Sequence, residues 1–498
     1  MNSYNILNYL VGRNIFALRS HLSVTATHRR LVSAVLVLQL LSPGAASAQS
    51  AITLPGPQLP RTSPFAGGIP TGTATTDPIA LSIIQAILQS LEHNLGLMLA
   101  EQDTATAKAD HWTALSGLLP SVAGGLTESR RKTNLEAFGF PLGPDFPRVV
   151  GPFNVFDARV FASQPIFNLD ALNESRAATH RIAATEHTYK HARSIVMLAT
   201  ANMYLQALAT RARADAAKAQ LTSAQAIHQQ AIDLRQNGLV AGIDVVRAEV
   251  QVSLLRQRST ATANDAEKAK LQLARIVGLP IGQPFTLVDD IPELSERPMT
   301  VDDALKEAYE KREDFLAAVE EVRAAESKRE AASSARLPSV RVTADYGTIG
   351  LTPGSALPTF NVTGALDVPI FDGGRQKGRL AKTDVELRER KARLEDLRAT
   401  VYYDVRSAFL DVEATKQQLE AADRGRALAN QQLEQSRDRF AAGVATNIEV
   451  VQAQEAVALA TEQEIAARYG YSVAKALLAQ SNGSAEETLM SFVKGSKP

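Results

Sequence analysis

The feature that most constrains this 498-residue chain is an internal duplication. Leu119-Pro120-Ser121-Val122 returns as Leu337-Pro338-Ser339-Val340, and Gln164-Pro165-Ile166-Phe167-Asn168 returns as Val368-Pro369-Ile370-Phe371-Asp372. Met203-Tyr204-Leu205 answers Ala408-Phe409-Leu410. Gly238, Ile243-Asp244-Val245-Val246 and Ala248 answer Gly443, Ile448-Glu449-Val450-Val451 and Ala453. Matches in one order at nearly constant offset mean a single supersecondary unit made twice. The copies divide near Pro298, giving repeats over 78–298 and 299–483 and a short tail over 484–498.

Each copy has the same internal plan. A helix opens it, Leu81 to Leu118 and then Val301 to Arg336, with Ser82 and Thr300 placed as N-caps. The Leu-Pro-Ser step ends that helix, because the residue before proline is pushed out of helical geometry. Two strands with period-2 alternation follow, near 121–131 and 153–164 in the first copy and near 339–347 and 360–369 in the second. Phe360, Val362, Gly364 and Leu366, for example, alternate with Asn361, Thr363, Ala365 and Asp367. Runs of about 9–11 residues suit a tilted strand crossing a bilayer. On the strands alone, a half-buried sheet of a soluble protein is also open.

The loops between strands, roughly 132–152 and 348–358, are polar and rich in proline and glycine. A helix of about 100 Å comes next, near 170–236 and near 375–441, at 1.5 Å per residue. Leu380, Leu387, Leu394 and Val401, with Leu397, mark a coiled-coil seam. Return helices over Ile243–Val277 and Ile448–Gln480 would make antiparallel helical hairpins.

Composition agrees with long thin helices better than with a thick globular core. Aromatic residues are 5% of the chain, with one tryptophan. The 53 basic and 53 acidic residues balance, which gives no electrostatic footprint for nucleic acid. No cysteine is present, so thiol catalysis, thiolate metal sites, disulfides and a lipidated N-terminal cysteine are all excluded. Residues 1–48 read as a secretory signal peptide: Arg13, Arg19, Arg29 and Arg30, an apolar run from Leu31 to Leu41, then Ala46-Ser47-Ala48. Eleven apolar residues fall short of the roughly 20 that span a bilayer. Residues 49–77 read as a flexible leader rich in Pro, Gly, Ser and Thr.

Four strands cannot close on themselves, and an open edge in lipid leaves backbone groups unpaired at several kcal/mol each. Such a chain must share its barrel, and three chains would supply twelve strands around a water-filled lumen. The expected fold is thus an α+β membrane protein: a trimeric 12-stranded β-barrel, four strands per chain, continuous with a long antiparallel α-helical coiled-coil barrel.

Over about residues 78–483 the sequence resembles the TolC-type outer-membrane efflux and secretion ducts. The strand-to-helix turn Pro369-Ile370-Phe371-Asp372-Gly373-Gly374-Arg375 carries part of that likeness. The tips Gly238-Leu239-Val240-Ala241 with Asp244-Val245, and Arg439-Phe440 through Gly443 to Glu449-Val450, carry the rest. The resemblance implies a homotrimeric exit duct in the outer membrane with its helices in the periplasm. It also implies a periplasmic adaptor and an inner-membrane pump as partners, outer-membrane lipid around the strands, and neither enzyme activity nor cofactor.

By resemblance, Asp244 and Glu449 sit near the closed periplasmic end, where a trimer would gather Glu449 carboxylates into a cation-favouring gate. Each could equally be an ordinary first-turn acid stabilised by the helix dipole. The family's second acidic ring position is Gln452 here, and a basic latch position is Ala445. Gly238, Leu239, Gly443 and Val444 match the adaptor-docking tips, although a helix-hairpin turn would need glycine anyway. His180, His187 and His191 share one helix face, as a metal stripe or as a solvated surface, and are too spread to chelate one ion tetrahedrally. The competing reading, a periplasmic coiled-coil adaptor or structural protein of an export system, would require one hairpin rather than two copies with lipid-length strands.

Overall fold

The computed structural model describes residues 63–139, 143, 147–238, 240–289, 299–442 and 444–488. The signal segment, the first half of the leader, Leu239, Gly443 and the end of the C-terminal tail lie outside the described residues.

The first copy begins with a three-residue strand, β1 (Ile79–Leu81), and a helix, α1 (Ile83–His93). Ser82 starts α1 through a capping box: its hydroxyl accepts from Gln85 N while the Gln85 side chain accepts from Ser82 N. The sequence led to one helix from Leu81 to Leu118. Instead the chain breaks at Asn94, whose backbone is extended, and restarts as α2 (Leu95–Ser116). Asn94 makes the restart possible, because its Oδ1 accepts from Gly96 N and Leu97 N. The second copy breaks at the same place: α5 (Val301–Lys311) gives way at extended Arg312 to α6 (Glu313–Ser334). Thr300 caps α5 by accepting from Asp303 N.

Strands β2 (Ser121–Asn134) and β3 (Val149–Phe167) follow α2, and β5 (Ser339–Gly350) and β6 (Leu357–Asp367) follow α6. They form one antiparallel sheet in the order β2-β3-β5-β6, so that the two copies join through β3 and β5. β2 and β3 run further outward than the alternation alone indicated, through a bulge between Arg131 and Thr133. β6 ends at Asp367, short of Pro369, which has no N–H to continue a ladder.

The long helices are α3 (Leu169–Gln236) and α7 (Arg375–Ala441), at 68 and 67 residues. Their return partners are α4 (Gly242–Val277) and α8 (Asn447–Ser481). Near the sheet the helices pack in the order α2-α3-α6-α7, while further away α3 pairs with α4 and α7 with α8. Leu394, Leu397 and Val401 of the predicted seam, joined by Val405 one turn further on, cover Ala304, Ala308 and Phe315 of α5 and α6. Ion pairs add to the α6–α7 contact, among them Lys328–Glu386 at 2.9 Å, Arg390–Glu321 at 2.9 Å and Lys391–Glu326 at 2.8 Å. All are partly exposed, so each is worth at most about 1 kcal/mol.

The thickest core lies at mid-length, where the broken helices meet the long ones. Leu81, Ile87, Met197, Tyr204, Leu208, Leu273 and Val277 are buried there. β1 pairs in parallel with β4 (Phe285–Leu287), too short a pair to read from alternation. The Tyr204 hydroxyl lies 2.8 Å from Leu81 O and 2.9 Å from Asp289 Oδ2, tying α3 to this small sheet. Burial and then the Asp289 carboxylate raise that phenol well above its ordinary value.

Candidate functional site

Register across the four strands sorts the side chains onto two unlike faces. Val122, Ala162, Ala344 and Val362 lie side by side in one row, and Gly124, Val160, Tyr346 and Phe360 in the next. Leu126 and Ala158 extend the face outward, and Val342, Gly364, Val340 and Leu366 extend it toward the helices. The larger side chains at its centre and edges are exposed in the protomer: Leu126 is 74% exposed and Phe360 76%. A contiguous exposed apolar face of this size marks a contact with lipid or protein.

The opposite face carries charged side chains, with Phe161 among them. Arg159 Nε is 2.7 Å from Asp157 Oδ1 and its Nη1 is 2.6 Å from Asp345 Oδ1, while Arg341 pairs with Asp367 at 2.7 Å. Gly125 and Gly347 flank Arg159 on the neighbouring strands. A Cβ at Gly347 would come within 2.1 Å of the Arg159 Cβ, so only glycine leaves room for the arginine there. One face apolar and the other charged is the arrangement of a barrel wall between lipid and water.

The strand-to-helix turns differ between the copies. Asn168 caps α3 directly, accepting from Ala171 N at 3.1 Å. In the second copy Asp372 Oδ1 accepts from Gly374 N and Oδ2 from Gln376 N at 2.8 Å. Gly373 and Gly374 stand at φ 68° and 90°, values that favour glycine. Ile370 and Phe371, after Pro369, are almost wholly exposed. Arg379 binds Asp170 through both Nη atoms at 2.9 Å and Glu174 at 2.7 Å, which pins α7 to α3 just beyond the sheet.

At the far tips, Gly238 closes α3 at φ 72° with open space around it, and Val444 is exposed after α7. Leu239 and Gly443 lie outside the described residues. Asp244 stands in the first turn of α4, 3.4 Å from Arg247, and Glu449 in the first turn of α8, 3.6 Å from Arg439. Both carboxylates therefore have a cation beside them within the protomer. Sequence reasoning missed Asn447, which is wholly buried where the two hairpins meet. Its Nδ2 donates to Asp244 O at 2.9 Å. The available signal was its alignment with Gly242 in the first copy.

The three histidines do not form a solvated surface. His180 Nδ1 lies 2.8 Å from Glu320 Oε2, and His187 Nδ1 lies 2.5 Å from Glu313 Oε2, so they join α3 to α6. Burial lowers the His191 imidazole, next to Asp314 and Arg312. Among the described residues no His, Asp or Glu cluster is arranged to hold a metal ion, and no helix is long and apolar enough to cross a membrane.

The family described as outer membrane efflux protein matches residues 86–279 and 304–484, well over half of the chain. The chain is 25% identical over 388 residues to the pyoverdine export outer membrane protein OpmQ of Pseudomonas putida, covering 76% of this chain and 80% of that protein. It is 23% identical over 345 residues to the outer membrane protein TolC of Escherichia coli K12, covering 64% and 67%. The fold matches the CmeC outer membrane channel of Campylobacter jejuni with a TM-score of 0.70 at 18% identity, over 89% of this chain and 97% of that one. It also matches the outer membrane protein VceC of Vibrio cholerae with a TM-score of 0.69 at 17% identity, over 80% and 96%. The chain belongs to the outer membrane efflux protein family: it is an outer-membrane channel, not an enzyme, with its helices in the periplasm.

Proposed function

We propose that this efflux channel works as a homotrimer, a passive exit duct whose energy comes from an inner-membrane pump reached through a periplasmic adaptor. The observation that carries the reading is the sheet. It has an uncovered apolar face, a charged face and two open edges, β2 and β6. β2 runs away from the helices and β6 runs back toward them, so β6 of one protomer can pair antiparallel with β2 of the next. Three protomers then close a twelve-stranded barrel with no free edge. The apolar face meets lipid, and the face with Arg159, Asp157 and Asp345 lines the lumen. The same closure brings α7 of one protomer beside α2 of the next and extends the wall below the membrane. An adaptor is the weaker alternative, since each of two copies here carries sheet strands as well as a helical hairpin.

The tips form the periplasmic gate in this reading, with Asp244 and Glu449 gathered around the axis, and Gly238, Leu239, Gly443 and Val444 present the adaptor-docking surface. Because Arg439 partly offsets Glu449, and because Ala445 and Gln452 add no charge, the gate relies less on a carboxylate ring than on packing. Planar-bilayer recording tests the gate. Glu449→Ala is expected to raise single-channel conductance or weaken block by multivalent cations, and unchanged values for both remove Glu449 from it. Site-directed crosslinking tests the docking surface: Gly238→Val should abolish adaptor crosslinks while the oligomer persists, and undiminished crosslinking would remove Gly238 from that surface.

A further inference from the structure

We infer that the outward end of β2 is a binding surface for the phosphate of an anionic lipid headgroup, held by Arg130 and Lys132. The inference rests on the barrel reading above, in which the face carrying Leu126 and Phe360 meets lipid.

Strand alternation carries that face beyond its apolar rows. Leu126 pairs with Ala158, Glu128 with Phe156 and Arg130 with Asn154. The extra residue of the bulge lies on β3, because Arg131 pairs with Phe153 and Thr133 with Val150. β2 therefore keeps its period-2 alternation, and Lys132 falls on the same face as Arg130. Opposite Lys132 the chain runs through Gly151 and Pro152, which carry no charge. Gly151 stands at φ 110°, and a Cβ there would come within 2.6 Å of Arg131 O, so glycine is what lets β3 close against this end of β2.

Deeper in the sheet the cations have partners: Arg159 binds Asp157 and Asp345, and Arg341 binds Asp367. Arg130 and Lys132 are exposed and make no ion pair among the described residues. Glu128, the acid of this column, pairs with neither, and Arg148 and Glu136 of the adjoining loop pair with each other at 3.8 Å. Arg130, Arg131 and Lys132 outnumber Glu128, so the end of the strand is positive. Ser121 lies at the periplasmic rim, just after α2. Nine and eleven residues further along β2, Arg130 and Lys132 stand about 23 and 28 Å above it, at roughly 3.3 Å per residue and a tilt of about 40°. A barrel's apolar band is about 25 Å tall, so both reach its outer rim, where headgroups begin. A lipid phosphate there supplies the acceptor that neither strand offers, while its chains cover the apolar rows below.

Native mass spectrometry of the detergent-purified oligomer, titrated with phosphatidylglycerol or with phosphatidylcholine, tests the surface. Wild type should retain phosphatidylglycerol in preference, and added salt should release it while leaving phosphatidylcholine in place. Arg130→Gln combined with Lys132→Gln should weaken phosphatidylglycerol by about 25-fold, roughly fivefold for each cation, without changing phosphatidylcholine. Arg131→Gln removes the same charge from the opposite face, where Nε donates to Ser129 Oγ at 3.1 Å, and should leave retention as in wild type. Inorganic phosphate at matched concentration should not displace the lipid, because it has no chains to cover the apolar rows. Salt-independent retention in wild type, undiminished retention in the double variant, an equal loss from Arg131→Gln, or displacement by phosphate would each overturn the inference. If Val362→Arg on the apolar face proves no worse than Thr363→Arg on the other, the barrel reading itself fails. If that contrast holds while the double variant binds like wild type, Arg130 and Lys132 alone are rejected.

Discussion

Substitution of Val362 and of its neighbour Thr363 by arginine separates the two faces of the sheet with the smallest change in sequence position. Val362 lies in the apolar row with Val122, Ala162 and Ala344, and Thr363 pairs with Thr343 on the charged face. Along β6 the apolar side chains run from Phe360 to Leu366, about 20 Å at 3.3 Å per residue, and Val362 falls within that band. An arginine facing lipid near the midplane costs about 2–4 kcal/mol per chain, hence about 6–12 kcal/mol for a ring of three. That compares with the roughly 5–15 kcal/mol that holds an ordinary domain folded. Thr363→Arg faces water and other polar side chains, and should lie within about 0.5 kcal/mol of wild type. The assay is urea titration of refolding into lipid vesicles, read by the fraction of heat-resistant oligomer. Equal effects of the two substitutions, or a larger effect of Thr363→Arg, would refute the assignment of the faces.

Tyr204→Phe should destabilise the mid-length core by about 1.5–3 kcal/mol, the range for a hydrogen bond to a charged partner, and speed amide exchange in β1 and β4 ahead of the tips. Uniform exchange through the chain would contradict this. Acidification should weaken the α3–α6 contact at His191. Burial holds its imidazole below the ordinary 6.5, so the fold binds fewer protons than the unfolded chain. The contribution is complete above pH 6.5 and is lost as pH falls from there toward the lowered folded value. Asp314 acts lower on the scale. Burial would raise its carboxyl, but Arg312 outweighs that and holds it below 3.8, so its contribution persists above 3.8 and goes only as pH drops through the folded value. Melting temperature against pH for His191→Gln should lack the upper of the two declines, and an unchanged profile would exclude His191.

The duplication, the alternating strands and the hydrophobic periodicity made the sheet and the long helices legible, because each is a local pattern repeated over many residues. What escaped was decided by contacts distant in the chain. The breaks at Asn94 and Arg312 carry neither proline nor glycine at the break itself, and the pairing of β1 with β4 joins residues about 200 positions apart. The spacing of His180 and His187 correctly put them on one face, yet their partners Glu320 and Glu313 come from the second copy, which no spacing reveals. Asp244 and Glu449 stood out through the repeat and the family resemblance, while the burial of Asn447 was passed over because asparagine before a helix reads as a turn residue. Its burial follows only from the meeting of the two tips.

The most direct test of the shared barrel is the mass of the protein extracted from the outer membrane in mild detergent, measured by native mass spectrometry. A single species of three chains is expected. A monomer that still conducts in a bilayer, or a closed oligomer of another number, would contradict it.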